Sequence, residues 1–182
     1  MEILPQLVVL NNGKSIIIRN CKSEDAAQLM HCVKTYINDS EYIPKESDEF
    51  NLTNEQEVQW IQTLNDKTNS LLLVAEHEGV IIGNIDLTGS GRRVMAHTAA
   101  IGMGMLREWR NTGVGTALMN AAISWAKSNE HLELLWLQVY LQNEAGIRLY
   151  RKMNFEEQGI IKNYFKHKGK YFDVLTMSLS VK

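Results

Sequence analysis

Cysteine is scarce in this chain: Cys21 and Cys32 are the only two in 182 residues. That excludes a disulfide-stapled secreted scaffold and suits a reducing cytoplasm. Long apolar runs are also missing, since Leu71 to Ala75 (LLLVA) is far too short to span a bilayer. The N-terminus MEILPQLVVL carries Glu2 and Pro5 and no basic segment, so it does not read as a signal peptide. Neither sign of charge dominates: 19 Lys and Arg against 21 Asp and Glu leave a net charge of -2. The molecule therefore has no electrostatic reason to coat nucleic acid or an anionic membrane. Its five histidines are scattered and, like the cysteines, lack ligand spacing, so no metal site is expected. No Gly-x-Ser-x-Gly elbow occurs, and Cys32 beside His31 reads as helix packing rather than a nucleophile. Repeats, low-complexity tracts and linkers are absent. The expectation is one cytoplasmic domain over residues 1–182, with its core at 15–179.

What is present is an ordinary globular balance, 45% hydrophobic and 22% charged residues. Ser15 to Asn20 reads as a strand. Ser23 is placed to cap a helix whose stripe is Ala26, Met30, Val33 and Ile37. Thr53-x-x-Gln56 is a capping box before a second helix carrying Trp60, Ile61 and Leu64. Residues 71–89 read as a hairpin turning at Glu78-Gly79. In residues 97–105, Ile101, Met103 and Met105 share one face, and Ala100, Gly102 and Gly104 the other. The two glycines there leave room either for a close-packed helix or for a ligand. A helix follows Gly113 with Val114, Leu118, Ala121 and Trp125 on one side. Glu133 to Val139 reads as a strand covered on both faces, and Asn143 as the cap of a helix holding Ile147, Leu149 and Tyr150. Gly159 to Phe165 and Lys170 to Leu179 close the chain as a hairpin around KHKG, with aromatics inward and lysines outward. This order predicts a mixed α/β (α+β) sheet layered with helices.

Arg110-Asn111-Thr112-Gly113-Val114-Gly115 joins a strand to a helix. The first helical turn has N–H groups without partners and partial positive charge, so it accommodates an anion where the approach is bare. Gly113 and Gly115 remove two β-carbons there, and Arg110 adds a fork of donors. A P-loop would need Lys then Ser or Thr after its second glycine, and this chain has Thr116-Ala117. A dinucleotide fingerprint would need glycine where Leu118 stands, which disfavours a nucleotide-binding oxidoreductase. A turn that only redirects the chain remains the plain alternative.

The hexapeptide matches the [Arg/Gln]-x-x-Gly-x-[Gly/Ala] signature of the GNAT N-acetyltransferase family. Val139 to Phe155 (VYLQNEAGIRLYRKMNF) resembles that family's second signature, and Gly169 to Leu179 its final strand in bacterial members. The resemblance implies the GNAT acyl-CoA N-acyltransferase fold, a central, largely antiparallel mixed sheet with helices on both faces. It implies that the pyrophosphate of acetyl-CoA, the co-substrate, rests on Arg110, Asn111, Thr112, Gly113, Val114, Gly115 and Thr116. The pantetheine arm would lie between strands 97–105 and 133–139 on the main chain of Met103, Gly104 and Met105. Asn143 would hold the cofactor beyond the thioester, and Tyr150 would serve as the catalytic residue at the sulfur; Tyr150 also reads as a core tyrosine. Where the family usually has glycine, Asn154 stands, a residue that tolerates the left-handed stop after a helix. Where members acting on protein N-termini often carry a catalytic Glu, Gln138 stands, so a base is missing there. Asp86, His97 and the acidic loop Glu41 to Glu49 are open candidates for the base. The expected activity is direct acetyl transfer in a ternary complex to a primary amine of a small molecule or peptide, with no nucleic-acid or membrane partner and a homodimer as one form. An acyl-CoA-binding domain without catalysis is the alternative.

Overall fold

The computed structural model describes residues 2–167 and 169–182. Eight strands form one sheet in the order β1-β2-β3-β4-β5-β6-β8-β7. In chain order these are β1 (Gln6–Val9), β2 (Ser15–Asn20), α1 (Ala26–Asn38), α2 (Asn54–Asp66), β3 (Leu71–His77), β4 (Val80–Gly89), β5 (Thr98–Met105), α3 (Val114–Ser128), β6 (Leu134–Tyr140), α4 (Glu144–Lys152), β7 (Glu156–His167) and β8 (Lys170–Ser180). Every neighbouring pair is antiparallel except β5–β6, which is parallel. Helices α1 and α2 cover one face over Leu72 and Val74. Helix α3 and Ile147 of α4 cover the other over Ile85, Leu87, Leu135 and Leu137.

Local chemistry accounts for most element ends. Glu78 (φ 50°) and Gly79 (φ 81°) turn β3 into β4 with both central residues left-handed, as a two-residue hairpin turn requires. Thr53 and Gln56 exchange their expected bonds at the start of α2, at 3.3 and 2.8 Å.

Five expectations are corrected. Ser23 does not cap α1: residues Ser23–Asp25 form a short 3-10 turn, and Asp25 accepts from Lys22 N–H at 2.8 Å. Asp25 is fixed there by a fork from Arg19 at 2.6 and 2.9 Å, a charge-assisted pair stronger than a serine cap. The buried stripe of α1 is Ala26, Leu29, Cys32, Tyr36 and Ile37, while Met30 and Val33 are half-buried at its flank. Strand β1 was not anticipated: it is an edge strand whose Leu7 and Val9 stay exposed, so no alternation marks it. One face of β6 (Leu135, Leu137, Val139) is buried, but Leu134, Trp136 and Gln138 are half-buried. In the last hairpin Phe165 and Phe172 turn inward around Tyr140, whereas Tyr164 and Tyr171 are exposed. Lys168, in the KHKG segment, lies outside the described residues. Among those described, no helix is long and apolar enough to cross a membrane.

Candidate active site

The parallel ladder between β5 and β6 is short. It joins Thr98 to Leu134, Ala99 to Leu135 and Ala100 to Trp136, and then stops. Strand β5 runs on to Met105, still paired with β4, and β6 runs on to Tyr140, still paired with β8. The two strands therefore diverge beyond Ala100 and Trp136, and past that point the β6-facing main-chain groups of β5 have no ladder partner on β6. Buried main-chain donors and acceptors need partners, so this divergence fits an extended ligand that brings its own amides.

Just past the open end of β5, residues Arg107–Trp109 make a short 3-10 turn and the chain enters α3. Asn111 (φ 61°) and Gly113 (φ 110°) are both left-handed. The Thr112 hydroxyl donates to the Trp109 carbonyl at 2.7 Å, and the Thr112 carbonyl accepts from Asn11 N–H at 3.1 Å, which pins the turn. The first N–H of α3 to bond back is Ala117, to the Gly113 carbonyl at 3.0 Å. The N–H groups of Val114, Gly115 and Thr116 have no acceptor among the described residues, the arrangement an anion needs. Arg110 Nη1 donates to the Asp39 carbonyl at 3.3 Å, tying the turn to the end of α1.

The two glycines have different tasks. A β-carbon on Gly113 would make only ordinary contacts, 3.6 Å from Leu10 Cδ2 and farther from Asn11, so the glycine is needed for its φ of 110°. A β-carbon on Gly115 would point inward, 3.2 Å from Leu149 Cδ2 and Met105 Cε. Gly115 therefore lets α3 lie close to β5 and α4, which departs from the expectation that it bares the turn. Gly104 sits beneath the Tyr36 ring, so close helix packing is its explanation. Tyr36 thereby joins the site through the strand it covers, and the paired glycines of β5 were its only trace in the sequence.

Helix α4 sits beside the divergence. Asn143 Oδ1 accepts from Gly146 N–H at 3.0 Å and caps the helix. At the other end Asn154 is left-handed (φ 64°), and Phe155 N–H reaches back to the Tyr150 carbonyl at 3.0 Å. Tyr150 is half-buried with its ring centroid 6.0 Å from that of Phe155, and burial pushes its phenol up to about 12. Its hydroxyl has no hydrogen-bond partner among the described residues. Asn143→Ala is expected to destabilise the protein by about 1 kcal/mol through the lost cap, whereas Asn143→Asp keeps it. Urea unfolding of the pair checks this, and equal stability of the two variants removes the capping role.

The candidate bases separate in space. Asp86 on β4 stands in register with Gly102, next to the divergence. His97 is exposed just before β5, at the end away from it. In the acidic loop, Glu46 is committed to His167 Nδ1 at 2.8 Å and Glu49 to Glu46 N–H at 2.7 Å. On the opposite side of the sheet, an open groove of about 410 Å³ runs between α3 and α4, lined by Thr116, Asn120, Lys127 and Lys152. No group of three or more His, Cys, Asp or Glu suited to a metal occurs among the described residues.

Known proteins share this fold. The model of the acetyltransferase (GNAT) family matches residues 35–155. L-amino acid N-acetyltransferase AaaT of Escherichia coli (strain K12) is 27% identical over 165 residues, which is 90% of this chain and 96% of that protein. A GNAT-family acetyltransferase from Streptococcus pneumoniae superposes with a TM-score of 0.88 at 25% identity, covering 92% of this chain and 99% of its own. A phosphinothricin acetyltransferase from Sinorhizobium meliloti, solved in complex with acetyl-CoA, shares the fold with a TM-score of 0.81 at 16% identity, over 95% of this chain and 89% of its own. A strand pair that parts beside a left-handed turn, together with a family match over most of the chain, identifies the protein: it belongs to the GNAT acetyltransferase family and is an acyltransferase.

Proposed function

We propose that the chain transfers the acetyl group of acetyl-CoA to a primary amine of a small molecule or peptide, in one step within a ternary complex. The observation that carries this is the divergence of β5 from β6 immediately beside the unpaired first turn of α3. In this reading Arg110 to Thr116 hold the diphosphate, main-chain groups of Met103, Gly104 and Met105 hold the pantetheine amides, and Asn143 lies beyond the thioester. Main-chain N–H groups of β5 stabilise the oxyanion formed on attack, an effect worth a few kcal/mol.

Tyr150 faces the leaving sulfur. A thiol with an ordinary pKa near 8.5 is already a fair leaving group. A phenol held near 12 keeps its proton, so Tyr150 donates a hydrogen bond to the departing thiolate instead of ionising. Tyr150→Phe is expected to lower kcat about tenfold or more and leave the affinity for coenzyme A within a factor of about two. Stopped-flow thiol release and calorimetry check the two halves; unchanged kcat removes Tyr150 from the chemistry.

The test of the function is free-thiol release from acetyl-CoA against L-amino acids, short peptides and polyamines. The L-amino acids come first, because the Escherichia coli relative is named for them. Coenzyme A binding without thiol release for any amine supports the alternative, a binding domain without catalysis, which Gln138 in place of a glutamate favours. A cytoplasmic location accords with the free, buried thiols of Cys21 and Cys32.

A further inference from the structure

The acceptor amine reaches the site as an ammonium ion, so some group has to remove a proton. With Gln138 unable to do so, the sheet itself supplies a candidate. Asp86 of β4 is in register with Gly102 of β5, and its Oδ1 lies where a β-carbon on Gly102 would be, 2.5 Å away. The carboxylate therefore extends across β5 over a residue that has no side chain to stop it. Continuing along that row, Gly102 lies two residues past the last β5–β6 pair, as Gln138 does on β6. Gln138 in turn pairs with Thr176 of β8, which pairs with Gly159 of β7. The row thus reads Asp86, bare backbone, the divergence, Gln138, Thr176. The Asp86 oxygen nearest the divergence is Oδ1, because Oδ2 is held by the Thr88 hydroxyl at 2.9 Å.

We propose that Asp86 is the general base of the transfer, receiving the proton of the acceptor nitrogen across Gly102. The assignment rests on the acetyl-transfer function proposed above. As the amine nitrogen bonds to the thioester carbonyl carbon, the C–S bond breaks and its electron pair leaves with sulfur. The nitrogen gives one proton to Asp86 Oδ1 before attack, which frees its lone pair, and a second after it; Asp86 releases each to solvent in turn, and the thiolate takes one from solvent. The sum is acetyl-CoA plus ammonium to amide, free thiol and one proton.

The surroundings suit this work. Burial raises the carboxyl to about 6, partly offset by the Thr88 bond, so it is ionised at neutral pH yet more basic than an ordinary aspartate. The titratable groups on the same layer are Tyr36 and Cys32 of α1 and Glu57 of α2, all held above their usual values by burial. None of the three offers a second base of comparable reach at pH 6, since Tyr36 and Cys32 stay protonated and Glu57 is buried on α2.

The experiment measures kcat against pH at saturating acetyl-CoA and acceptor. The parent protein is expected to lose activity below about pH 6. Asp86→Asn is expected to lower kcat about a hundredfold or more, with coenzyme A affinity unchanged as the check that it is folded. Thr88→Ala removes the bond that lowers the Asp86 carboxyl and is expected to move the acid limb to higher pH. An Asp86→Asn protein within a factor of about three of the parent kcat overturns the assignment, as does an acid limb that stays put in Thr88→Ala. A parent that acetylates no amine overturns the function itself, and that result is distinguishable because it precedes both variants.

Discussion

Gly104→Ala is expected to destabilise the protein by about 3 kcal/mol. The new β-carbon would sit 2.4 to 2.7 Å from three ring atoms of Tyr36, well inside contact distance. The ring cannot swing aside cheaply: its hydroxyl donates to Asn84 Oδ1 at 3.1 Å, and Asn84 is only 3% exposed. Moving it would leave a buried amide unpaired, at a cost of about 1–3 kcal/mol. The remaining escape is for α1 to rise from β5, which disturbs the strand proposed to carry the pantetheine. For a protein of this size the loss corresponds to a fall in Tm of roughly 10 °C. Coupling isolates the cause. Tyr36→Ala alone empties a packed site, but Gly104→Ala added to it is expected to cost little more, because the clash is gone. Chemical unfolding of the four proteins checks this, and strict additivity of the two changes rules the contact out as the reason.

Asp86→Asn is expected to stabilise the protein at neutral pH, by about 3 kcal/mol, while impairing transfer. The carboxyl is raised from 3.8 to about 6 in the folded protein, so folding favours its protonated form. Stability from this group is fully present below about pH 4 and is lost as pH rises through about 6, after which the loss is constant. An amide carries no charge at any pH and escapes that loss. The difference between variant and parent should thus be near zero around pH 4, widen between pH 4 and 6, and level off above. Unfolding free energies measured across that range decide the matter; a gap independent of pH means that the charge at Asp86 is not its source. Stability gained with activity lost is the trade expected of a group held in a costly place for its chemistry.

How much of this was legible beforehand depended on whether the signal was local. The Glu78-Gly79 turn, the Thr53–Gln56 box and the left-handed stop at Asn154 are decided within a few residues, and each could be named from the chain alone. The family signature at Arg110 to Gly115 was likewise contiguous, although the inward task of Gly115 depends on Leu149 and Met105, which lie elsewhere in the chain. The Ser23 cap fails because Asp25 is fixed by Arg19, and Arg19 is in turn held by Glu76, which it meets only when β2 and β3 pair. The same holds for the phase of the α1 stripe: Ala26, Leu29, Cys32 and Tyr36 keep helical spacing, and Gly104 accepting the Tyr36 ring goes with that face being turned inward. Edge strand β1 left no pattern, since Leu7 and Val9 are apolar yet exposed on one face while Val8 packs inward from the other, which erases alternation. Asp86 could be listed as a polar strand residue, but its opposition to Gly102 is a matter of register and needed the sheet.

The parting of β5 from β6 has one more effect. A strand at the border of a sheet usually invites other chains to add alongside it, which is how sheets aggregate. Here the unbonded backbone is interior: β4 and β8 stand on either side, and helices lie above and below. No polypeptide can come at it broadside. Only something thin enough to slide in end-on, from the mouth near Met105 and Tyr140, can satisfy those amides. The protein thus keeps reactive backbone permanently on offer without the stickiness that such backbone brings elsewhere.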